Sequence, residues 1–532
     1  YFVPGGRIWY NSVRPNPQIL NCFVLTDKLD SKEGWGRLSY ENIVTSMTGG
    51  GCGQDFSDIR PEGAEIRGQK GTCPGPVVLM GGINAGAKMV RAGGVRRAAN
   101  MFSLDLDHPD VFKFLDSKLV NGELDMANIS VRSKHTRDFI KAVREDGDWE
   151  LSWKGKYKST VKARDLWNKI VTNAWKSAEP GFLNWEMTEE ESTIYYIEKL
   201  ATTNPCGEIA LSPHDSCDLG HLVLPRFVKN GDLDWHLLAQ VVRTGVRFLD
   251  NVLDVNNYPL PEMKAKSQNL RRIGLGCTGL ADMLMMLGFR YGSEEGNKLI
   301  DKLYRFLSKA AYEASIMLAV EKGAFPLCNP ELHVKSGFVS RMTDKIKALI
   351  KEHGIRNCAL LTQAPTGTVS ILSGNCSSGV EPTFAPAYWR SYWEGETRGR
   401  ELCFHPLFVE FVEAGKSLDH FVAAHELSVR DHMEVQKIIQ KHLDNACSKT
   451  INLPENYPIE DMSELWLEYL PFLKGTTFYR ENSRKFYRDD GTEEPPPLTA
   501  IPIEEALKLL NEQKANLTAA ETDDCPNGVC EF

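Results

Sequence analysis

The residues most able to do chemistry lie together in Asn204-Pro205-Cys206-Gly207-Glu208. Pro and Gly on either side of the cysteine predict a tight loop that holds the thiol out at a tip. Asn204 and Glu208 flank it at alternate positions, so in an extended loop all three side chains would converge on one substrate. A carboxylate within hydrogen-bond reach of a substrate hydroxyl can act as its general base. Cys217 follows eleven residues after Cys206, in Ser216-Cys217-Asp218-Leu219-Gly220. The plain alternative is a loop around a buried cysteine, because a free cysteine is commonly a small buried hydrophobe. Near the C-terminus, Cys525 and Cys530 form a second pair, separated by Pro526-Asn527-Gly528-Val529. A metal clip is one use of such a pair, but it lacks the other two ligands zinc takes; thiol–disulfide exchange needs only the two thiols.

Two further stretches could cradle phosphate. Pro365-Thr366-Gly367-Thr368-Val369-Ser370 offers consecutive backbone N–H groups with hydroxyls, the material of an anion nest at a helix start. Gly49-Gly50-Gly51-Cys52-Gly53 lets a nucleotide approach the backbone closely. Gly274-Leu275-Gly276-Cys277-Thr278-Gly279 fits the dinucleotide pattern, yet it follows Arg271-Arg272 rather than a clear strand, and no placed acidic residue completes a βαβ unit. Close helix packing is the expected use of those glycines, which leaves a nicotinamide dehydrogenase a distant alternative. His214 and His221 near the central loop carry no metal-site spacing, so no metal is expected.

The elements that must position these residues read as α/β. Apolar helical stretches (Leu237 to Val252, Asn297 to Val320) alternate with short apolar runs near the loop motifs, which suggests a parallel sheet. The Gly-rich first hundred residues read as loops between short elements. The 532-residue chain can bury a large core, and 42% apolar with 25% charged residues is the composition of a globular protein. A net charge of −9 gives no general attraction to nucleic acid, and no apolar run is long enough to span a membrane. The thirteen cysteines are an odd count without the spacing of a secreted disulfide scaffold, so a reducing cytoplasm is expected. The chain does not begin with Met, which leaves room for an upstream segment. Residues 1–484 form the expected catalytic unit. Beyond them, Arg488-Asp489-Asp490-Gly491 and Pro495-Pro496-Pro497 break regular structure, one short amphipathic helix follows (Ile503 to Leu510), and 485–532 reads as a flexible arm carrying the cysteine pair.

Taken together, these motifs resemble those of the ribonucleotide reductases. Asn-Pro-Cys-Gly-Glu followed by Ser-Cys-Asp-Leu-Gly is similar to the family's finger loop. Leu20-Asn21-Cys22-Phe23-Val24-Leu25 resembles the strand bearing the partner cysteine, and Gly94-Val95-Arg96-Arg97-Ala98-Ala99-Asn100-Met101 the loop linking effector and substrate sites. Ala364 to Ser370 resembles the substrate-phosphate loop. Ser378-Gly379-Val380-Glu381-Pro382 and Ser448-Lys449-Thr450-Ile451-Asn452-Leu453-Pro454 complete the set, so that the resemblance runs from Pro4 to about Arg484.

The resemblance implies a ten-stranded α/β barrel, two five-stranded parallel halves arranged antiparallel, with the finger loop threading the centre. It assigns a thiyl radical to Cys206, a general base to Glu208, the hold on the 2′-hydroxyl to Asn204, and the reducing pair to Cys22 and Cys217. Asn21, Gly51, Pro205, Gly207 and Pro365 to Val369 (with Thr366, Gly367 and Thr368) are the expected substrate contacts, and Arg96, Arg97 and Asn100 the effector-side residues. Cys525 and Cys530 are the expected redox shuttle to a thioredoxin-type reductant, on a coil whose 30 or so residues reach roughly 30 Å. A ribonucleotide substrate, with the diphosphate as the expected form, and a dNTP effector are implied; a homodimer is one assembly it allows. No counterpart of the family's N-terminal ATP-cone precedes the barrel motifs.

The branch is read from Lys474-Gly475-Thr476-Thr477-Phe478-Tyr479-Arg480. A radical imported from a second subunit travels through two adjacent phenols, and Phe478 has none. The wording resembles the adenosylcobalamin-dependent class, which makes adenosylcobalamin the expected cofactor. An aerobic-type large subunit that needs a radical-generating partner is the main alternative, and a non-catalytic nucleotide sensor a remote one.

Overall fold

The computed structural model describes residues 1–66, 70–92, 96–119, 124–394, 397–483, 486–487, 493–494 and 498–523. Nine strands of one sheet organise the chain: β1 (Cys22–Val24), β2 (Gly51–Asp55), β3 (Asn100–Asp105), β4 (Ala127–Ser133), β5 (Gly181–Asn184), β6 (Ser216–Val223), β7 (Ile273–Thr278), β8 (Thr450–Leu453) and β9 (Gly475–Arg480). β1 to β5 pair in chain order, each parallel to the next. β6 and β7 are parallel to each other, as are β8 and β9.

The gap between β7 and β8 is filled by Ala359 to Gln363. Leu275 N donates to Leu360 O at 2.8 Å on one side, and Ser448 N donates to Gln363 O at 2.9 Å on the other. Parallel bridges Leu275↔Leu361 and Gln363↔Cys447 mark the same register. That segment supplies the fifth position of the second half. The halves meet at two antiparallel joints, β1 with β6 and β5 with β9. Hydrogen bonding therefore runs a full circuit of ten segments, five parallel and five parallel, in the arrangement the sequence implies.

Strands β3, β5, β6 and β7 are buried along their whole length, yet polar residues alternate with apolar ones in β3 and β6, since one face of the sheet turns to the hairpin. Helices Trp235–Val255 and Glu294–Lys322, which cover the two stretches expected to be helical, pack on each other outside β6 and β7. Outside β5 and β9 an aromatic cluster of Trp167, Phe182, Trp466 and Phe478 fills the space beneath the helices. A separate cluster (Cys22, Val24, Ala201, Ile209, Leu211, Cys217, Leu219, Ala364) lies around the hairpin and the strands that face it.

Three expectations change. The first hundred residues contain two substantial helices, Lys32–Met47 and Pro76–Lys88. Gly81, Gly82 and Gly86 lie inside the second, where each costs about 1 kcal/mol in propensity; the buried stripe of Val77, Met80, Ile83 and Ala87 offsets that. Second, Gly274 to Thr278 is strand β7 itself. A Cβ on Gly276 would stand 2.4 Å from Thr362 O, so the glycines admit the neighbouring strand segment and not a helix or a dinucleotide. Third, residues 498–510 do not extend as an arm. Leu498–Ile501 adds to a three-stranded antiparallel sheet with Ala387–Glu394 and Thr397–Phe404, and helix Ile503–Asp523, longer than expected, buries Ala506 and Leu510 against Phe408 and Phe411. Cys525 and Cys530 lie outside the described residues. No described helix is long and apolar enough to cross a membrane.

Candidate active site

The hairpin that carries Cys206 leaves β5 and returns into β6, with Thr202–Thr203 paired to Ala210–Leu211. Its tip is a tight turn: Gly207 N donates to Asn204 O at 3.0 Å, and Gly207 takes a φ of 80°, which a residue without Cβ adopts without strain. The turn splits the trio that an extended loop would have aligned. Cys206, exposed, lines a cavity of about 870 Å³ together with Pro205 and Gly207. Asn204 and Glu208 are buried and meet instead at Cys22: Asn204 Nδ2 lies 3.1 Å from Cys22 Sγ, and Cys22 Sγ stands 3.9 Å from Glu208 Oε1.

Both halves of the barrel grip the hairpin. Asn128 Nδ2 on β4 donates to Pro205 O at 2.9 Å. From the second half, Thr362 Oγ1 and Ala446 N both donate to Glu208 O, at 2.7 and 2.9 Å. Neither Thr362 nor Ala446 belongs to a motif with chemistry of its own, and sequence reasoning passed over both.

Burial is the dominant electrostatic fact. It pushes the Glu208 carboxyl up to about 7, only partly opposed by hydrogen bonds from Asn204 and Cys22. Glu208 Oε2 is buried and has no hydrogen-bond partner among the described residues. Burial also pushes the Cys217 thiol well up, and its Sγ donates to Asp218 O at 3.1 Å. Cys217 and Cys22 are direct partners across the β1–β6 joint. Such antiparallel partners stand about 4.5–5.5 Å apart at Cα, inside the range a disulfide spans. Both are thiols in this structure.

The other candidates are less uniform. Pro365 and Gly367 line the Cys206 cavity, and Thr368 is exposed; Val369 is buried, and Thr366 Oγ1 is occupied by Gly379 N at 2.6 Å and Thr278 Oγ1 at 2.8 Å. Gly51 is approached by Pro205, whose Cγ would lie 3.0 Å from an added Cβ, so the glycine makes room for the hairpin. Asn21 is half-buried beside Cys22, its Oδ1 unbonded among the described residues. Asn100 turns into the fold, where its Oδ1 accepts from Asn42 at 2.7 Å and Gln54 at 3.2 Å. Arg96 and Arg97 pair in backbone with Ala92 and Arg91, and Gly93 to Val95 lie outside the described residues.

The same cavity is walled by residues to which the sequence assigns no individual role. Lys449 is buried there, its Nζ donating to Glu381 Oε2 at 2.7 Å and His432 Nδ1 at 3.0 Å, which ties two of the recognised motifs together. His405 also lines the wall, with neither ring nitrogen hydrogen-bonded among the described residues. Phe478 faces the outer aromatic cluster, 4.7 Å from Trp466 between centroids, and Tyr479 lines the cavity.

Comparison with known proteins agrees with this geometry. The family described as "Ribonucleotide reductase, barrel domain" matches residues 20–479. A Thermoplasma acidophilum protein named vitamin B12-dependent ribonucleoside-diphosphate reductase is 31% identical over 557 residues, spanning 100% of this chain and 70% of its own length. A Mycobacterium tuberculosis protein of the same name is 32% identical, over 91% of this chain and 71% of its own. A Plasmodium falciparum ribonucleoside-diphosphate reductase large subunit is 29% identical over 74% of this chain and 54% of its own. With its ten-segment circuit and the cysteine hairpin inside it, the chain belongs to the ribonucleotide reductase family.

Proposed function

We propose that the chain reduces ribonucleotides, as diphosphates, to 2′-deoxyribonucleotides by thiyl-radical chemistry, with adenosylcobalamin as its radical source. The observation that carries this reading is the meeting of Asn204, Glu208 and Cys22 behind the Cys206 tip, with Cys217 directly across the strand joint.

The residue types suit the reaction. A 2′-hydroxyl is a poor leaving group on a closed-shell ribose, and a radical at C3′ changes that. Hydrogen transfer from C3′ to a Cys206 thiyl leaves a thiol and the C3′ radical. Glu208, titrating near neutrality, takes the proton of the 3′-hydroxyl. Asn204 has a second amide hydrogen for the 2′-hydroxyl, and Cys22 supplies the proton with which that group leaves as water. The Cys22–Cys217 pair then gives a hydrogen atom to C2′ and one further electron as it closes to a disulfide, Glu208 returns its proton to the 3′-oxygen, and Cys206 returns its hydrogen to C3′, which restores the thiyl. Pro365 and Gly367, in the wall beside Cys206, place the phosphates through backbone N–H groups.

The residues present fit a corrinoid. The cavity, about 870 Å³, is at the upper end of the roughly 300–1,000 Å³ of small-molecule sites. Cys206 lines it, and His405, which burial keeps neutral, with Tyr388 and Ser377, offers polar contacts. The bound cofactor supplies homolysis of its cobalt–carbon bond. Phe478 favours this class, because its ring, packed on Trp466, has no phenolic hydrogen. The two relatives named as B12-dependent also align over more of the chain than the large subunit does. A dNTP effector near residues 81–101, a second copy of the chain, and a cytoplasmic thioredoxin-type reductant belong to the same reading.

The test is ribonucleotide reduction by the purified chain with effector and dithiol. Turnover should require adenosylcobalamin and no second protein. Activity indifferent to the cofactor that appears on adding a metal-containing partner would remove the class while leaving the reaction. The tail is tested by reductant: Cys525→Ser with Cys530→Ser should lose turnover with a thioredoxin-type protein yet keep most of it with a small dithiol, which reaches Cys22–Cys217 directly. Equal loss with both reductants would make the tail structural.

A further inference from the structure

The outgoing limb of the hairpin is held by a buried charge cluster that the reaction does not use. Arg132 on β4 is 4% exposed. Its Nε donates to Asp105 Oδ1 at 2.6 Å, its Nη2 lies 2.8 Å from Asp55 Oδ2, and its guanidinium stands 5.0 Å from the centre of the Trp185 ring. The two carboxylates close on the guanidinium from the ends of β2 and β3, and the remaining nitrogen, Nη1, donates to Ala201 O, the carbonyl immediately before the hairpin. A second bond repeats the link: Ser103 Oγ lies 3.0 Å from Asp55 Oδ1 and 2.8 Å from Thr202 Oγ1. The limb lies hard against β2 as a result, since a Cβ on Gly53 would sit 2.0 Å from Thr203 O.

A buried guanidinium between two carboxylates brings a desolvation cost that apolar packing would avoid. What such packing could not do is aim a donor. The planar fork serves the two carboxylates with two of its three nitrogens and leaves the third pointing along a fixed line at the hairpin's base. Four residues separate Ala201 from Cys206, and beyond Thr203 the outgoing limb meets the first half through the Asn204–Cys22 contact, the Asn128 bond and the Pro205–Gly51 contact.

We propose that Arg132 is a positioning residue, which sets how far the Cys206 tip stands into the cavity by fixing Ala201 against β2. The proposal concerns the placement of a thiol and deepens the catalytic reading above without requiring it for the test. Asp55 and Asp105 hold the guanidinium in orientation; Lys134, which also bonds Asp105 Oδ2 at 2.6 Å but is largely solvated, does not touch the hairpin.

The experiment compares Arg132→Lys, Thr202→Val and Lys134→Gln in the full chain. Lysine keeps the charge but cannot serve Asp55, Asp105 and Ala201 O at once. Alkylation of Cys206 by iodoacetamide, followed by peptide mass spectrometry with Cys328 as internal reference, should quicken about threefold or more in Arg132→Lys, less in Thr202→Val, and not in Lys134→Gln, because a loosened tip samples more open positions. In turnover assays, kcat should fall about tenfold or more in Arg132→Lys with KM within about threefold, the split expected of a misplaced reacting group. If Arg132→Lys does not fold, Thr202→Val, which removes a single hydroxyl contact, decides by the same two readouts. Wild-type alkylation rates in the folded variants would overturn the proposal. Faster alkylation in Arg132→Lys, found together with a wild-type chain that reduces no ribonucleotide, would leave the proposal standing while removing the catalytic reading.

Discussion

Cys206→Ser is expected to bind ribonucleotide and effector as the parent chain does and to make no deoxyribonucleotide. The thiol sits at the exposed tip of the hairpin, so the hydroxyl that replaces it disturbs no packing. The chemical difference is the whole effect. An O–H bond is far stronger than an S–H bond, and a seryl radical is not formed at useful cost. Turnover should fall by on the order of 10⁴-fold or more, the scale of losing a group on which every later step depends. Equilibrium binding of nucleotide, measured separately, should stay within about twofold, since no binding contact is removed. Measurable reduction by this variant would remove the radical assignment.

Glu208→Gln should be almost as severe and carries a pH signature. In the free protein burial pushes the carboxyl up to about 7. Below that pH the group is protonated and cannot accept the 3′-hydroxyl proton; above it, it can. The profile of kcat/KM should therefore rise through about 7 as pH increases and flatten beyond. Glutamine preserves the shape and one acceptor oxygen but offers no base at any pH. A loss of about 10²–10⁴-fold in kcat, with the rising limb abolished, is expected. A variant that kept the limb would place the titration elsewhere, with the Cys22 thiol 3.9 Å away the first group to examine.

What the sequence disclosed about the site was the part carried by contiguous residues. The hairpin, the strand of Cys22 and the order of the motifs were all legible, because each is a short local pattern of types that do chemistry. The circuit of ten segments followed from resemblance and not from periodicity. One of its members, Ala359 to Gln363, is a strand only through bonds to partners some 85 residues away on either side, which no local pattern encodes. The turn at Gly207 was readable as a turn, yet its consequence was not: it separates Cys206 from Asn204 and Glu208, and only burial reveals which face each takes. Gly51 and Gly276 look like nucleotide loops in sequence because the signal of close approach does not say what approaches. Here it is Pro205 and the backbone of Thr362. Arg132 gave no signal at all, since a single arginine in a strand is defined by the two aspartates at the ends of its neighbours.

Cys22 and Cys217 face each other across one of the two antiparallel strand joints that, among the described residues, close the halves on each other. In the proposed reaction, the electrons for each product therefore come from the seam of the molecule. After each turnover the barrel is held there by a covalent bond as well as by strand pairing, and before the next it must be unlocked. In that proposal the seam is where a reductant must act, while the tip bearing Cys206 lines the cavity. Oxidation state and the continuity of the barrel wall become one variable, renewed with every nucleotide reduced.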